Sequence, residues 1–439
     1  MTEETFGITQ SDTLKKNLNI IFIGHVDAGK STVSGHLMFI TKSIDPRLLD
    51  KYKQEASKMG RDGWVYAYAM DTSKDERSKG KTVEVGRAMF ATENRRFTLL
   101  DAPGHKGYVP NMVVGTMQAD VGVLIISARR GEFETGFEKG GQSREHAIIA
   151  KTCGVRALIV AINKMDDPTV EWSQERYDEI VKKVSPFLKG VGFPKSSVRY
   201  IPISGWTGKG IAESVRADAP WFDSDETLIH MLDTIPMPKR DVKGQFRMPV
   251  LDRFRHMGVC CVGKVERGSV VPGDKLALMP GESIGEVTDV FIDEQTLEKG
   301  EAGDNLCLRL KGIPEEELRA GTCLCATDSL CHFSKQIICQ FVLLEHRSLI
   351  APGYRCVMHI HTASVEVTVH RILALLDKKT KKIKEKLPKF ATPGNSYVIS
   401  LEFDQPQCVE MYSDFERMGR FLLRDEDSTI GIGVITKVK

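Results

Sequence analysis

Apolar residues fall along this chain in two regimes. In the first half, short apolar runs at residues 18–23, 96–101, 121–128, 158–163 and 199–203 are separated by longer mixed stretches. A further strand is predicted over 83–92. Such alternation predicts a mostly parallel sheet covered by helices. The stretch between 44 and 82 is far longer than a crossover needs; Asp45-Pro46, followed by Leu48, Leu49 and Tyr52, predicts one helix inside it. After Pro236-Met237-Pro238 the pattern becomes short alternating runs, at 259–266, 275–279 and 305–310, broken by turns such as Val271-Pro272-Gly273-Asp274. A second such block starts near Phe333 with 336–344 and continues through 357–361, 365–375, 395–403 and 419–438. The expectation is a short mobile tail over 1–18, an α/β domain over 19–237 and two all-β barrels over 238–332 and 333–439.

Three stretches place chemistry on the α/β part. Gly24-His25-Val26-Asp27-Ala28-Gly29-Lys30-Ser31 has P-loop spacing, between a buried strand and the helix opening at Thr32. Glycines let backbone amides surround phosphate oxygens, and the helix N-terminus adds positive potential there. Lys30 would reach the terminal phosphates and the Ser31 hydroxyl a Mg²⁺ ion. Asn163-Lys164-Met165-Asp166 ends a predicted strand, where nucleotides bind. The Asp166 carboxylate can accept from guanine's N1–H and exocyclic amine, a donor pair that adenine lacks. The Lys164 stem can lie along the base, and Asn163 can tie this loop to the P-loop. Ser204, Gly205 and Trp206 follow another short strand and suit the loop that closes over the base. The third stretch, Asp101-Ala102-Pro103-Gly104-His105, puts Asp101 where it would hold Mg²⁺ through water. There the Gly104 amide meets the γ-phosphate and His105 orients an attacking water. GTP or GDP with Mg²⁺ is therefore the expected cofactor set.

Composition narrows the class without naming it. Of 439 residues, 41% are hydrophobic and 27% charged, as in soluble globular domains. A net charge of +2 gives no global basic field, so any RNA contact must be local. Met1-Thr2-Glu3-Glu4-Thr5 is not a signal-peptide start, and the run at 121–128 is too short to span a bilayer. Ten scattered cysteines with no Cys-x-x-Cys pair suggest reduced thiols in the cytoplasm. Cys323, Cys325, Cys331 and His332 have poor spacing for zinc. His359-x-His361 reads as packing or a surface pair on one strand face. The lysine-rich run 378–386 reads as a hairpin tip, solvated or touching ribosomal RNA.

Together the three nucleotide stretches resemble the translational GTPases, the family of the factor that carries aminoacyl-tRNA, over nearly the whole chain. That resemblance implies an α/β P-loop GTPase domain followed by two all-β barrels. It identifies residues 70–82 as a first switch, with Thr82 giving its hydroxyl and carbonyl to Mg²⁺ and its amide to the γ-phosphate. It makes Lys30, Thr82 and His105 the residues that act on the phosphates and water, and Ser31, Thr82 and Asp101 those around the metal. His25, Val26, Asp27, Ala28, Gly29 and Thr32 join Lys30 and Ser31 around the nucleotide. Gly140-Gly141-Gln142 looks like the hydrolytic tripeptide of stop-codon readers, but its position implies support for the second switch.

Within the family, three segments are similar to the GTP-binding subunit of eukaryotic release factors: Gly80-Lys81-Thr82-Val83-Glu84-Val85-Gly86-Arg87-Ala88, the stretch from Glu132 to Gln142, and Met418-Gly419-Arg420-Phe421-Leu422-Leu423-Arg424-Asp425-Glu426. The resemblance implies a monomer that binds a stop-codon-reading class I release factor and the ribosome, with no membrane. It also implies an N-terminal extension missing from these 439 residues, hence a shortened form. Period two puts Arg420, Leu422 and Arg424 on one face, read as an exposed docking strip for that partner. A ribosome-rescue GTPase, the tRNA-carrying elongation factor and the GTPase subunit of sulfate adenylyltransferase stay open as alternatives.

Overall fold

In the computed structural model, the described residues are 7–58, 65–70, 82–138, 140–281, 283–293, 295–344, 349–377, 380, 382–426 and 428–439. The chain forms two compact units, Met1–Pro238 and Lys239–Lys439.

The first unit is built on a six-stranded sheet of order β2-β3-β1-β4-β5-β6. Its strands are β1 (Asn17–Gly24), β2 (Gly86–Ala91), β3 (Arg96–Asp101), β4 (Val121–Ser127), β5 (Ala157–Asn163) and β6 (Val198–Pro202). All neighbours pair in parallel except β2 with β3. Both faces of the sheet are covered, so the central strands are continuous apolar runs: every residue of β1, β3 and β4 is buried. The helices are α1 (Gln10–Thr13), α2 (Lys30–Ile40), α3 (Pro46–Lys58), α4 (Val109–Gln118), α5 (Glu132–Phe137), α6 (Gln142–Thr152), α7 (Gln174–Val191) and α8 (Leu228–Thr234). One core joins Leu18, Ile20 and Phe22 of β1 to Val33 and Leu37 of α2, Val123 and Ile125 of β4, and Leu228 and Leu232 of α8. The P-loop, Asp101, Asn163 and Ser204 all follow the carboxyl ends of parallel strands, where helix N-termini converge.

The expected tail over 1–18 is corrected for residues 9–18. Thr9 and Asp12 form a reciprocal capping box on α1. Buried Arg96 donates to the Thr13 carbonyl at 2.9 Å, and Lys15 to the Thr92 carbonyl at 2.6 Å. The anchor for this segment lies some 80 residues away, which local patterning does not reveal. β2 begins three residues later than the expected strand over 83–92, because Asn111 of α4 holds the Val83 carbonyl at 2.8 Å.

The second unit holds two antiparallel barrels. In one, the sheet order is Lys275–Met279, Cys323–Ala326, Arg247–Arg255, Val259–Lys264, Asn305–Lys311, Ser283–Ile292. The last strand pairs back to the first and closes six strands, with Gln295–Leu297 appended. The other runs Arg355–Ile360, Arg420–Asp425, Ser428–Val438, Phe333–Leu343, Ser396–Cys408, Ala363–Leu376. It too closes on itself, with Ile383–Lys386 appended. Closure leaves no free edge in either ring. Between the barrels, Cys323, Cys325, Cys331 and Cys408 pack with Met279 and Met418. The hydrogen bond with Cys323 pulls the Cys325 pKa down, but the one with Cys331 and burial outweigh it and push it up to about 12. His332 stays out of that group and pairs with Glu410 at 2.8 Å.

Two expectations about this unit fail. His359 and His361 do not share a strand face: the strand ends at Ile360, and His361 sits in the following turn at φ 41°. Both are buried as packing residues, and burial brings each pKa down to about 4. The exposed strip Arg420, Leu422, Arg424 is absent. Leu422 is fully buried and Arg424 is 3% exposed, with its guanidinium on the Thr429 hydroxyl and beside His359. Arg420 is held by Glu416 and Tyr412. Simple alternation fails here because the residues from Phe421 to Arg424 are all buried, so both faces of this strand are covered.

Candidate nucleotide site

The loop after β1 is shaped by its last glycine. Gly29 caps α2 at φ 94°, a left-handed backbone that a side chain would strain, and a Cβ there would lie 2.4 Å from the Asn163 amide. Asp27 also has positive φ, at 60°. Ala28 is buried within the turn. Lys30 is buried and donates to the His25 carbonyl at 2.8 Å. Burial lowers its pKa to about 8, against the opposing pull of Asp101 and Asp27. The two carboxylates favour the protonated form, and a buried ammonium attracts phosphate.

Asp101 ends β3 and is fully buried. Gly104 follows so closely over the P-loop that a Cβ would stand 2.5 Å from the Lys30 ammonium and 3.0 Å from the Val26 nitrogen. A side chain there would displace the Lys30 ammonium and press on the Val26 backbone. His105 is exposed, and its Nδ1 accepts from the Gly107 amide at 3.2 Å. The Ser31 and Thr82 hydroxyls are 3.2 Å apart. Together with the Asp101 carboxylate they form an all-oxygen donor set suited to a hard cation such as Mg²⁺. The rest of the expected first switch, 71–81, lies outside the described residues.

The base end is organised by one side chain. Asn163 Nδ2 donates to the Ala28 carbonyl at 2.8 Å, and its Oδ1 accepts from the Gly205 amide at 2.7 Å. It joins the phosphate loop to the loop after β6. Asp166 is half-buried at the same end, and Trp206 is 49% exposed. Ser204 is buried and caps the turn by accepting from the Thr207 amide at 3.1 Å. Lys164 sits at φ 64° and reaches Glu132 at 2.7 Å.

Four residues at this site were not assigned to it from the sequence. His36 of α2 holds the Gly205 carbonyl at 2.9 Å while its ring stacks on Tyr66. Glu132 of α5 accepts from Lys164 and Ser127. Burial pushes its carboxyl up, but those hydrogen bonds outweigh burial and hold its pKa below the usual value. Gln142 and His146 are both buried on α6. His146 Nδ1 accepts from the Gly24 amide at 3.1 Å, and Gln142 Oε1 from the Val26 amide at 3.4 Å. Their i, i+4 spacing on one helix face was the only available signal. Gln142, the last residue of Gly140-Gly141-Gln142, is buried and braces the P-loop from α6. Gln142→Ala removes one P-loop contact worth about 1 kcal/mol. GDP release followed by a fluorescent analogue should then be roughly fivefold faster, while secondary structure by circular dichroism stays as in the parent.

A P-loop, a guanine-type base loop and a buried oxygen-rich phosphate end on a parallel sheet define a nucleotide-binding switch protein. Residues 15–238 match the elongation factor Tu GTP binding domain, 258–325 the elongation factor Tu domain 2, and 336–436 the GTP-eEF1A C-terminal domain-like family. The chain belongs to the elongation factor Tu family of GTP-binding proteins. It is 46% identical over 97% of its length to the eukaryotic peptide chain release factor GTP-binding subunit of Ogataea pini, of which it covers 57%. Identity to the protein of the same description from Kluyveromyces lactis is also 46%, over 97% of this chain and 61% of that one. The chain thus spans about three-fifths of the length of the curated relatives it matches. The S. cerevisiae Ski7 GTPase-like domain bound to GTP superposes with a TM-score of 0.78 at 17% identity, over 98% of this chain and all of that one. That likeness is one of fold.

Proposed function

We propose that this chain is a GTP hydrolase of translation termination that binds a stop-codon-reading class I release factor and couples GTP hydrolysis on the ribosome to peptide release. The observation that carries this reading is the 46% identity over 97% of the chain to proteins described as release factor GTP-binding subunits. The nucleotide site supports it. Lys30 and the P-loop amides bind the β- and γ-phosphates, and Asp166 reads the base. Thr82 and Gly104 hold the γ-phosphate end, and His105 orients the water. Ser31, Thr82 and Asp101 would hold Mg²⁺, which when bound neutralises charge on the phosphate oxygens. The protein works in the cytoplasm as a monomer outside its release-factor complex.

The test is capture from a translating extract with the full chain loaded with a non-hydrolysable GTP analogue. The bound protein should be the stop-codon reader. Capture of aminoacyl-tRNA, of a no-go decay partner or of an adenylylating enzyme instead would replace the reading with the corresponding family member. Among the described residues, no helix is long and apolar enough to cross a membrane.

A further inference from the structure

The appended strand Ile383–Lys386 is the most exposed element of the second unit. All four of its residues are exposed, and from Lys382 to Phe390 only Pro388 is buried. This short stretch carries Lys382, Lys384, Lys386 and Lys389 against a single acid, Glu385. Between the lysines stand side chains that an isolated barrel would normally hide: Ile383 is 57% exposed, Leu387 67% and Phe390 48%. Leu349 joins them at 57%, brought close by the bridge between Ile350 and Ala391. Four apolar faces among four ammonium groups are not explained by solubility, which lysines alone would supply.

Two occupants suit a basic and apolar edge, an acidic peptide and a nucleic acid. A peptide would add as a strand, but the edge is a poor template. It is four residues long, its pairing with Ala363–Leu376 carries a register shift, and Leu387 turns away at φ 51° before Pro388. What the edge offers is side chains rather than backbone. Lys384 and Lys386 are two residues apart, about 7 Å along an extended chain, close to the separation of neighbouring phosphates on one extended strand. The apolar faces beside them, Phe390 above all, suit unstacked bases. We infer that residues 382–390, with Leu349, form a binding site for single-stranded RNA, lysines on the phosphates and Phe390 under a base. The site lies in the barrel unit and needs no nucleotide in the P-loop.

The experiment uses the full chain and a fluorescein-labelled 20-nucleotide oligouridylate, read by anisotropy at 50 and 200 mM salt. Replacing all four lysines, Lys382→Ala, Lys384→Ala, Lys386→Ala and Lys389→Ala, should weaken binding at least tenfold at low salt. It should also flatten the slope of log K against log salt by about 3, as four lost phosphate contacts require. The four corresponding arginine substitutions keep the charge and should retain binding. Phe390→Ala should cost at least fivefold with an unchanged salt slope. Wild-type binding by the alanine set, or equal loss in the arginine set, would overturn the site. So would displacement of the RNA by polyglutamate at equal charge. The assay contains neither ribosome nor release factor, so its failure leaves the termination reading standing, and the reverse holds as well.

Discussion

Asp166→Asn should turn this protein from a guanine into a xanthine nucleotide binder. On the proposed reading the Asp166 carboxylate, in the loop after β5, accepts two charge-assisted hydrogen bonds from guanine, each worth about 1.5–3 kcal/mol. The amide keeps one acceptor and sets a donor against a guanine donor, and losing one charge-assisted bond corresponds to roughly 10- to 10²-fold weaker GTP binding. An amide at the same place donates to the O2 of xanthine, so XTP affinity should rise as GTP affinity falls. Competition of GTP and XTP against a fluorescent GDP analogue measures both. An unchanged ratio would remove Asp166 from the base pocket. The surrounding contacts make the substitution a local one, because Asn163 and Ser204 carry the hydrogen bonds that shape these loops and Asp166 itself is half-buried.

His105→Ala should leave GDP binding near normal and reduce ribosome-stimulated GTP turnover by roughly 10²-fold, the usual consequence of a misplaced reactant. His105 is exposed, accepts from the Gly107 amide and lies against the Tyr108 ring, so its removal takes no support from the P-loop. Phosphoryl transfer is mostly positioning and charge stabilisation. The motifs show no arginine finger, and slow turnover is expected from the chain alone. Single-turnover hydrolysis with and without ribosomes tests this. Undiminished stimulated turnover in the variant would take the water-positioning role away from His105.

The sheet and most of the nucleotide loops were legible because they obey local rules. Apolar runs marked the parallel strands, and the P-loop, Asp101 and Asn163 stood at strand ends where a doubly covered sheet must put them. What the sequence hid depends on distance along the chain. Arg96 anchors the first helix through Thr13, and no periodicity announces such a pairing. Gln142 and His146 reach Val26 and Gly24 across more than 110 residues. The failed docking strip has a different cause. Period-two alternation says which residues share a face, but not whether that face meets solvent. The strand 420–425 is covered on both sides, and Arg424 is buried although it is charged.

The double hydrogen bond of Asn163 has a kinetic consequence. Its two amide ends fasten loops that hold opposite extremes of the ligand, so neither loop can relax while the other stays in place. Letting go of the base and letting go of the phosphates become one concerted event. Asn163→Asp swaps the donor for an acceptor that faces the Ala28 carbonyl, breaking the fastening without changing its size. Departure of the nucleotide should then split into two resolvable phases, one for each loop.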